Sequence, residues 1–137
     1  MKRLTAALSL LLLPFSVALA PAQSPGADDY EMTTYQVGFL RKGPNWTPVG
    51  DSSELKALQA AHLEHIGKMA ETGKLILAGP FSDGGDLRGL FIFRVDSLED
   101  AKALAEQDPA VKAGRPVIEW HPWYAAKNIT VTPKTGP

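Results

Sequence analysis

Apolar and polar positions alternate along this chain with two periods, two and about 3.6, and the switches between them delimit its elements. Residues 33–41 (TTYQVGFLR) put Tyr35, Val37 and Phe39 on one side, which is a strand pattern. Residues 42–51 (KGPNWTPVGD) hold two prolines and two glycines and cannot continue it. They form a ten-residue loop, long enough to act as a pocket lid, and Trp46 lies in it. From residue 53 to 72 the period changes. Leu55, Leu58, His62, Ile66 and Met69 project onto one narrow arc of a helix, with Leu63 and Ala70 widening it. Glu64, Lys68 and Glu71 take the wet face. Asp51 and Glu54 have capping-box spacing at the start, and Gly73 supplies the stop.

Residues 74–81 (KLILAGPF) are too continuously apolar for an exposed strand and predict a second strand covered on at least part of both faces. After the turn SDGGD, residues 87–95 (LRGLFIFRV) alternate, with Leu90, Ile92 and Arg94 opposite Phe91, Phe93 and Val95. The two strands form a hairpin. Ser97 caps a second helix that stops near Gln107, because Pro109 disfavours helix at Asp108. Residues 109–114 give one further turn, and residues 117–124 (VIEWHPWY) the last strand, with Pro122 suited to an edge or a strand end. The order is β-α-β-β-α-β, an α+β ferredoxin-like domain with two helices on one face of an antiparallel sheet. The other face also needs a cover, since strands two and three are apolar on both sides. A second copy packed sheet on sheet is the simplest one, so a homodimer, a dimeric α+β barrel, is expected.

Composition adjusts this picture at the ends. Lys2 and Arg3 precede an apolar run from residue 4 to residue 20, and small residues follow, as in a secretory signal peptide cleaved after Ala22. Residues 1–22 are therefore read as a signal, 23–32 as a disordered linker, 33–127 as the domain and 128–137 as a flexible tail. The expected location is periplasmic or secreted. The full chain has 14 Lys and Arg against 15 Asp and Glu; without Lys2 and Arg3 the balance is 12 against 15, a net charge near −3. With no basic cluster, nucleic acid and, after cleavage, a membrane are not expected partners. There are no cysteines, so the core must hold without disulfides.

The chemical anomaly is His62, an imidazole in the middle of an apolar arc. In this fold the two helices run antiparallel, so the first half of helix one lies beside the end of helix two. His62 is about 13 Å along helix one, within reach of Asp108 after the much shorter helix two. A carboxylate there would orient the ring and raise its basicity. Other readings stay open: His62 as a hydrogen-bonded core residue, Asp108 as the N-cap of a turn opened by Pro109, and Trp46 packed back on its own domain. Arg41, at the end of strand one, is either a bidentate carboxylate ligand or a solvated charge. His62 and His65 are three apart, but His65 lies at the arc's edge, so no metal site is expected. The acids of Asp83-Gly84-Gly85-Asp86 would repel a phosphate, and no serine sits in a nucleophile elbow.

Ala61-His62-Leu63, the run Gly73-Lys74-Leu75-Ile76-Leu77-Ala78-Gly79-Pro80, Asp108-Pro109 and the closing Trp120-His121-Pro122-Trp123 resemble the YCII-related (YciI-like) family of the dimeric α+β-barrel superfamily. The resemblance spans about residues 33–127. It implies a histidine–aspartate active pair at His62 and Asp108 and no cofactor. Some members act in chloroaromatic breakdown as dehalogenases or isomerases of the muconolactone type. The reaction expected on that basis is acid–base chemistry on a small molecule, a carboxylate or a lactone, with Arg41 and Trp46 binding it. A non-catalytic ligand-binding dimer and a cofactorless oxygenase of the same superfamily are the alternatives.

Overall fold

A computed structural model of the chain describes residue 26 and residues 29–131. The expected signal segment, residues 1–22, lies outside the described residues, as does most of the linker. The elements are β1 (Met32–Lys42), α1 (Ser53–Glu71), β2 (Leu75–Pro80), β3 (Leu87–Phe93), α2 (Leu98–Ala105), α3 (Pro109–Lys112) and β4 (Pro116–Ala126). The four strands form one antiparallel sheet in the order β2-β3-β1-β4. This is the split βαβ arrangement of ferredoxin-like α+β domains.

β4 runs past both ends of the alternating stretch because β1 gives it an unbroken register from Met32 opposite Ala126 to Lys42 opposite Pro116. Pro122 sits within that register, opposite Gln36. On an edge strand its missing N–H need cost no ladder bond.

The start of α1 differs from the expectation in one residue. Ser52, not Asp51, is the N-cap: its Oγ accepts the Leu55 N–H at 3.2 Å. Its hydroxyl also lies 2.9 Å from Glu54 Oε2, so the acid that was to reach back to Asp51 is engaged by the serine instead. The apolar arc is also narrower than the helical projection suggests. Leu63 is 57% exposed and Ala70 is exposed, because α1 packs on β2 and α3 along one stripe only. Met69 and Ile66 carry that stripe into the core.

The core is split by the sheet. On the helix side, Leu40, Met69, Leu75, Phe91 and Phe93 pack with Ala101 and Ala105 of α2. Two alanines at that contact bring α2 close to the phenylalanines, whose rings meet edge to face at 5.8 Å. On the opposite face lie Tyr35, Val37 and Ile92, flanked by Phe39 and Leu90. Among the described residues no helix covers that face. Part of it is closed by the segment after β4. Asn128 turns with a φ of 71°, Ile129 packs on the cluster, and its N–H donates to the Tyr35 hydroxyl at 3.4 Å. Tyr35 in turn donates to the Ala126 carbonyl at 3.2 Å and is fully buried.

Candidate active site

The end of the sheet, α1, α3 and the loop after β1 enclose a cavity of about 400 Å³, a size in the range of small-molecule sites. Leu40, Ile66, Ala78 and Phe91 make its floor and one wall, and His62 opens onto it. α1 positions His62 one turn before Ile66, so the ring is carried inward by the same stripe that anchors the helix.

Asp108 is held by its own backbone chemistry. The chain leaves α2 at Glu106 and must break before Pro109, which puts Asp108 in an extended conformation as the N-cap of α3. Its Oδ1 accepts the Ala110 N–H at 2.8 Å. Its Oδ2 lies 2.7 Å from Nδ1 of His62. The carboxylate is fully buried and the imidazole is 14% exposed, so the pair meets away from bulk water. The cap role and the histidine contact are therefore not alternatives; each uses one oxygen. An ionised Asp108 can only accept, so Nδ1 carries the hydrogen, and in the neutral ring Nε2 then keeps its lone pair. Among the described residues no protein group hydrogen-bonds Nε2. The ring also lies 6.4 Å from that of Phe91, tilted by 31°.

His65 does different work. Its Nε2 is 3.0 Å from the Leu104 carbonyl, where it can tie α1 to the end of α2. Among the described residues no three His, Asp or Glu side chains are gathered as a metal cage.

The loop after β1 is fastened to the turn before β4. Gly43 N–H donates to the Arg115 carbonyl at 2.6 Å, Asn45 N–H to the Gly114 carbonyl at 3.0 Å, and Asn45 Nδ2 to the Ala113 carbonyl at 2.9 Å. Arg115 answers with Nη2 to the Thr47 carbonyl at 2.7 Å and Nη1 to its hydroxyl at 3.2 Å. These bonds hold the indole of Trp46 at the cavity wall.

Arg41 is not brought to this site. It lies on the far face of the sheet, with Nε 2.6 Å from Glu119 Oε2 and Nη1 3.5 Å from Asp86. Glu119 also meets His121 at 2.9 Å. The hydrogen bond and charge of Glu119 raise Arg41 above its ordinary value, and Arg41, then His121, hold Glu119 below the usual carboxylate range. The cations that do line the cavity are Arg88 and Arg115, which the residue pattern did not single out. For Arg88 the cause is a bulge. Leu40 pairs with Gly89 and Arg41 with Leu87, so Arg88 has no partner on β1 and the alternation breaks there. For Arg115 the sequence carries no signal beyond its place after a glycine turn.

A four-stranded antiparallel sheet, two main helices on one face and a largely apolar cavity bearing a histidine–aspartate pair define a ferredoxin-like α+β domain with a cavity between sheet and helices. The chain belongs to the YCII-related family: the family model of the YCII-related domain matches residues 39–121. The uncharacterized protein YjpA of Bacillus subtilis (strain 168) is 31% identical over 68 residues, which is 50% of this chain and 78% of YjpA. Among solved structures, this chain is similar to 5-chloro-2-hydroxyhydroquinone dehydrochlorinase (TftG) from Burkholderia phenoliruptrix AC1100, determined in complex with 2,5-dihydroxybenzoquinone. The two are 22% identical with a TM-score of 0.47, over 66% of this chain and 93% of TftG.

Proposed function

We propose that this protein is a cofactor-independent enzyme that moves a proton on a small organic molecule, with Nε2 of His62 as the working atom. The observation that carries the reading is the 2.7 Å contact of a fully buried carboxylate with Nδ1 of a histidine that lines the cavity, with no protein partner on its other ring nitrogen among the described residues. Asp108 cannot rotate away without releasing the Ala110 N–H, so the ring is held in one tautomer and one orientation. Nε2 would take a proton from a carbon next to a carbonyl, and Asp108 would stabilise the imidazolium that results. The electron pair released can then return with the proton at another carbon, as in lactone isomerisation. It can also form a double bond as halide leaves with the electrons of its own bond. Apolar walls support either course by keeping water from the carbanion-like intermediate.

The test is turnover of a panel of unsaturated lactones and their chlorinated derivatives, followed by ultraviolet absorbance and chloride release. Wild type should turn over at least one of them, and His62→Ala should lose about 100-fold or more. Equal turnover by both proteins would overturn the assignment.

Two further proposals concern the setting. The outer face of the sheet, where Val37, Phe39, Leu90, Ile92 and Trp123 line a second concavity of about 290 Å³, supports a homodimer formed sheet on sheet. The charged start and apolar run of residues 1–22 support export, and N-terminal sequencing of the mature protein should begin at or near Gln23.

A further inference from the structure

The cavity holds two positive charges that the His62–Asp108 pair does not use. Arg115 is only 5% exposed, and both hydrogen bonds its side chain makes go to Thr47, a neutral residue. Arg88 donates Nη1 to the Gly85 carbonyl at 3.2 Å, and its Nε is buried with no hydrogen-bond partner. Their guanidinium carbons lie 5.0 and 5.1 Å from the centre of the Trp46 ring. Among the described residues no Asp or Glu forms an ion pair with either arginine; Arg41, on the other face, has two. Asp108, the nearest acid in sequence to α3, has both oxygens engaged.

Taking a guanidinium out of water is unfavourable unless a counter-charge or a full set of acceptors replaces its hydration. The face of Trp46 and the oxygens of Thr47 offset part of that loss. They leave five-donor forks short of acceptors and without a negative partner. The bulge that turns Arg88 out of alternation makes the same point, since bulges of this kind re-aim single side chains toward sites.

We propose that Arg88 and Arg115, set about Trp46, form a subsite for the carboxylate of a flat and otherwise largely apolar small molecule. The carboxylate accepts from the arginine forks, the body of the molecule lies against Trp46, Leu40 and Phe91, and the reacting carbon faces His62. The His62 end of this arrangement rests on the acid–base reading above; the anion subsite does not.

Binding of benzoate, and of benzamide as its uncharged counterpart, by calorimetry on the purified protein tests it. Benzoate should bind at least tenfold more tightly than benzamide. Arg88→Gln should lose about tenfold or more for benzoate, the scale of hydrogen bonds to a charged group, with benzamide unchanged. Arg115→Lys keeps the charge but not the fork; it should weaken benzoate and melt somewhat below wild type, because the paired bonds to Thr47 are lost as well. His62→Ala should bind benzoate within about threefold of wild type, since hydrogen bonds to the anion come from the arginines. Benzoate binding no better than benzamide, insensitive to Arg88→Gln, or lost in His62→Ala would overturn the subsite. Failure of the turnover panel with the benzoate pattern intact would remove the acid–base reading and leave the subsite standing.

Discussion

Nδ1 of His62 and Oδ2 of Asp108 are 2.7 Å apart although 46 residues separate them in the chain. The contact joins a helix face to a helix cap. Each residue is placed by a local rule, α1 periodicity for one and the Asp-Pro start of α3 for the other. What the pair can do follows from Asp108 being committed on both oxygens.

Asp108→Asn separates orientation from packing. The amide can still accept from Ala110 through its oxygen, but it presents N–H to Nδ1 and forces the ring hydrogen onto Nε2. Activity should fall about 100-fold or more, with a melting temperature within a few degrees of wild type. Imidazole nitrogen NMR should show the exchanged tautomer; an unchanged tautomer would refute this account of Asp108.

Asp108→Ala removes both bonds at once. The α3 cap and the histidine contact are lost in a buried setting, and the cost should be about 2–4 kcal/mol by urea unfolding. A cost under about 1 kcal/mol would show that α3 does not depend on its cap.

Gly43, just after β1, passes close against the turn before β4. A Cβ there would stand 2.4 Å from the Gly114 carbonyl oxygen and 2.8 Å from that of Arg115, both backbone atoms that cannot turn aside. Gly43→Ala should destabilise by about 2 kcal/mol or more and should loosen the bonds that hold Trp46. Heteronuclear NMR would show the indole signal of Trp46 shifting; a variant with wild-type stability would contradict the tight approach.

The dimer proposal makes a sharp claim about the outer face. Wild type should elute and scatter at about twice the chain mass, and Phe39→Glu should yield monomers because it places a charge among apolar side chains on that face. A monomeric wild type at micromolar concentration would remove the dimer and the barrel with it.

The ion cluster of Arg41, Glu119 and His121 predicts an acid dependence. Glu119 titrates below its ordinary value in the folded protein, chiefly through its hydrogen bond with Arg41. Its contribution to stability is thus complete above the unfolded carboxylate range, near 4.3, and is lost as pH falls through the lowered folded value. Melting curves between pH 2 and about 6 should show a smaller acid-side decline in Glu119→Gln than in wild type. The difference should shrink at high salt because the cluster is exposed.

Much of this molecule is legible in the order of its residues. The strand of residues 33–41, the arc from Leu55 to Met69, the two-sided apolar stretch at 74–81 and the Asp-Pro break each follow from interactions within a few residues, and together they dictate a ferredoxin-like α+β order. His62 was visible as a polar group where packing calls for leucine. Tertiary structure alone decided which cations reach the cavity. By alternation Arg88 belongs with Leu90 on the outer face; the bulge opposite Leu40 and Arg41 breaks that alternation and brings it to the cavity. Arg41, which the sequence left as either a carboxylate ligand or a solvated charge, is claimed by Glu119 of a strand far away in sequence. A bulge and a cross-strand ion pair are properties of how two strands register, and register is settled by the packed sheet, where neither strand alone contains it.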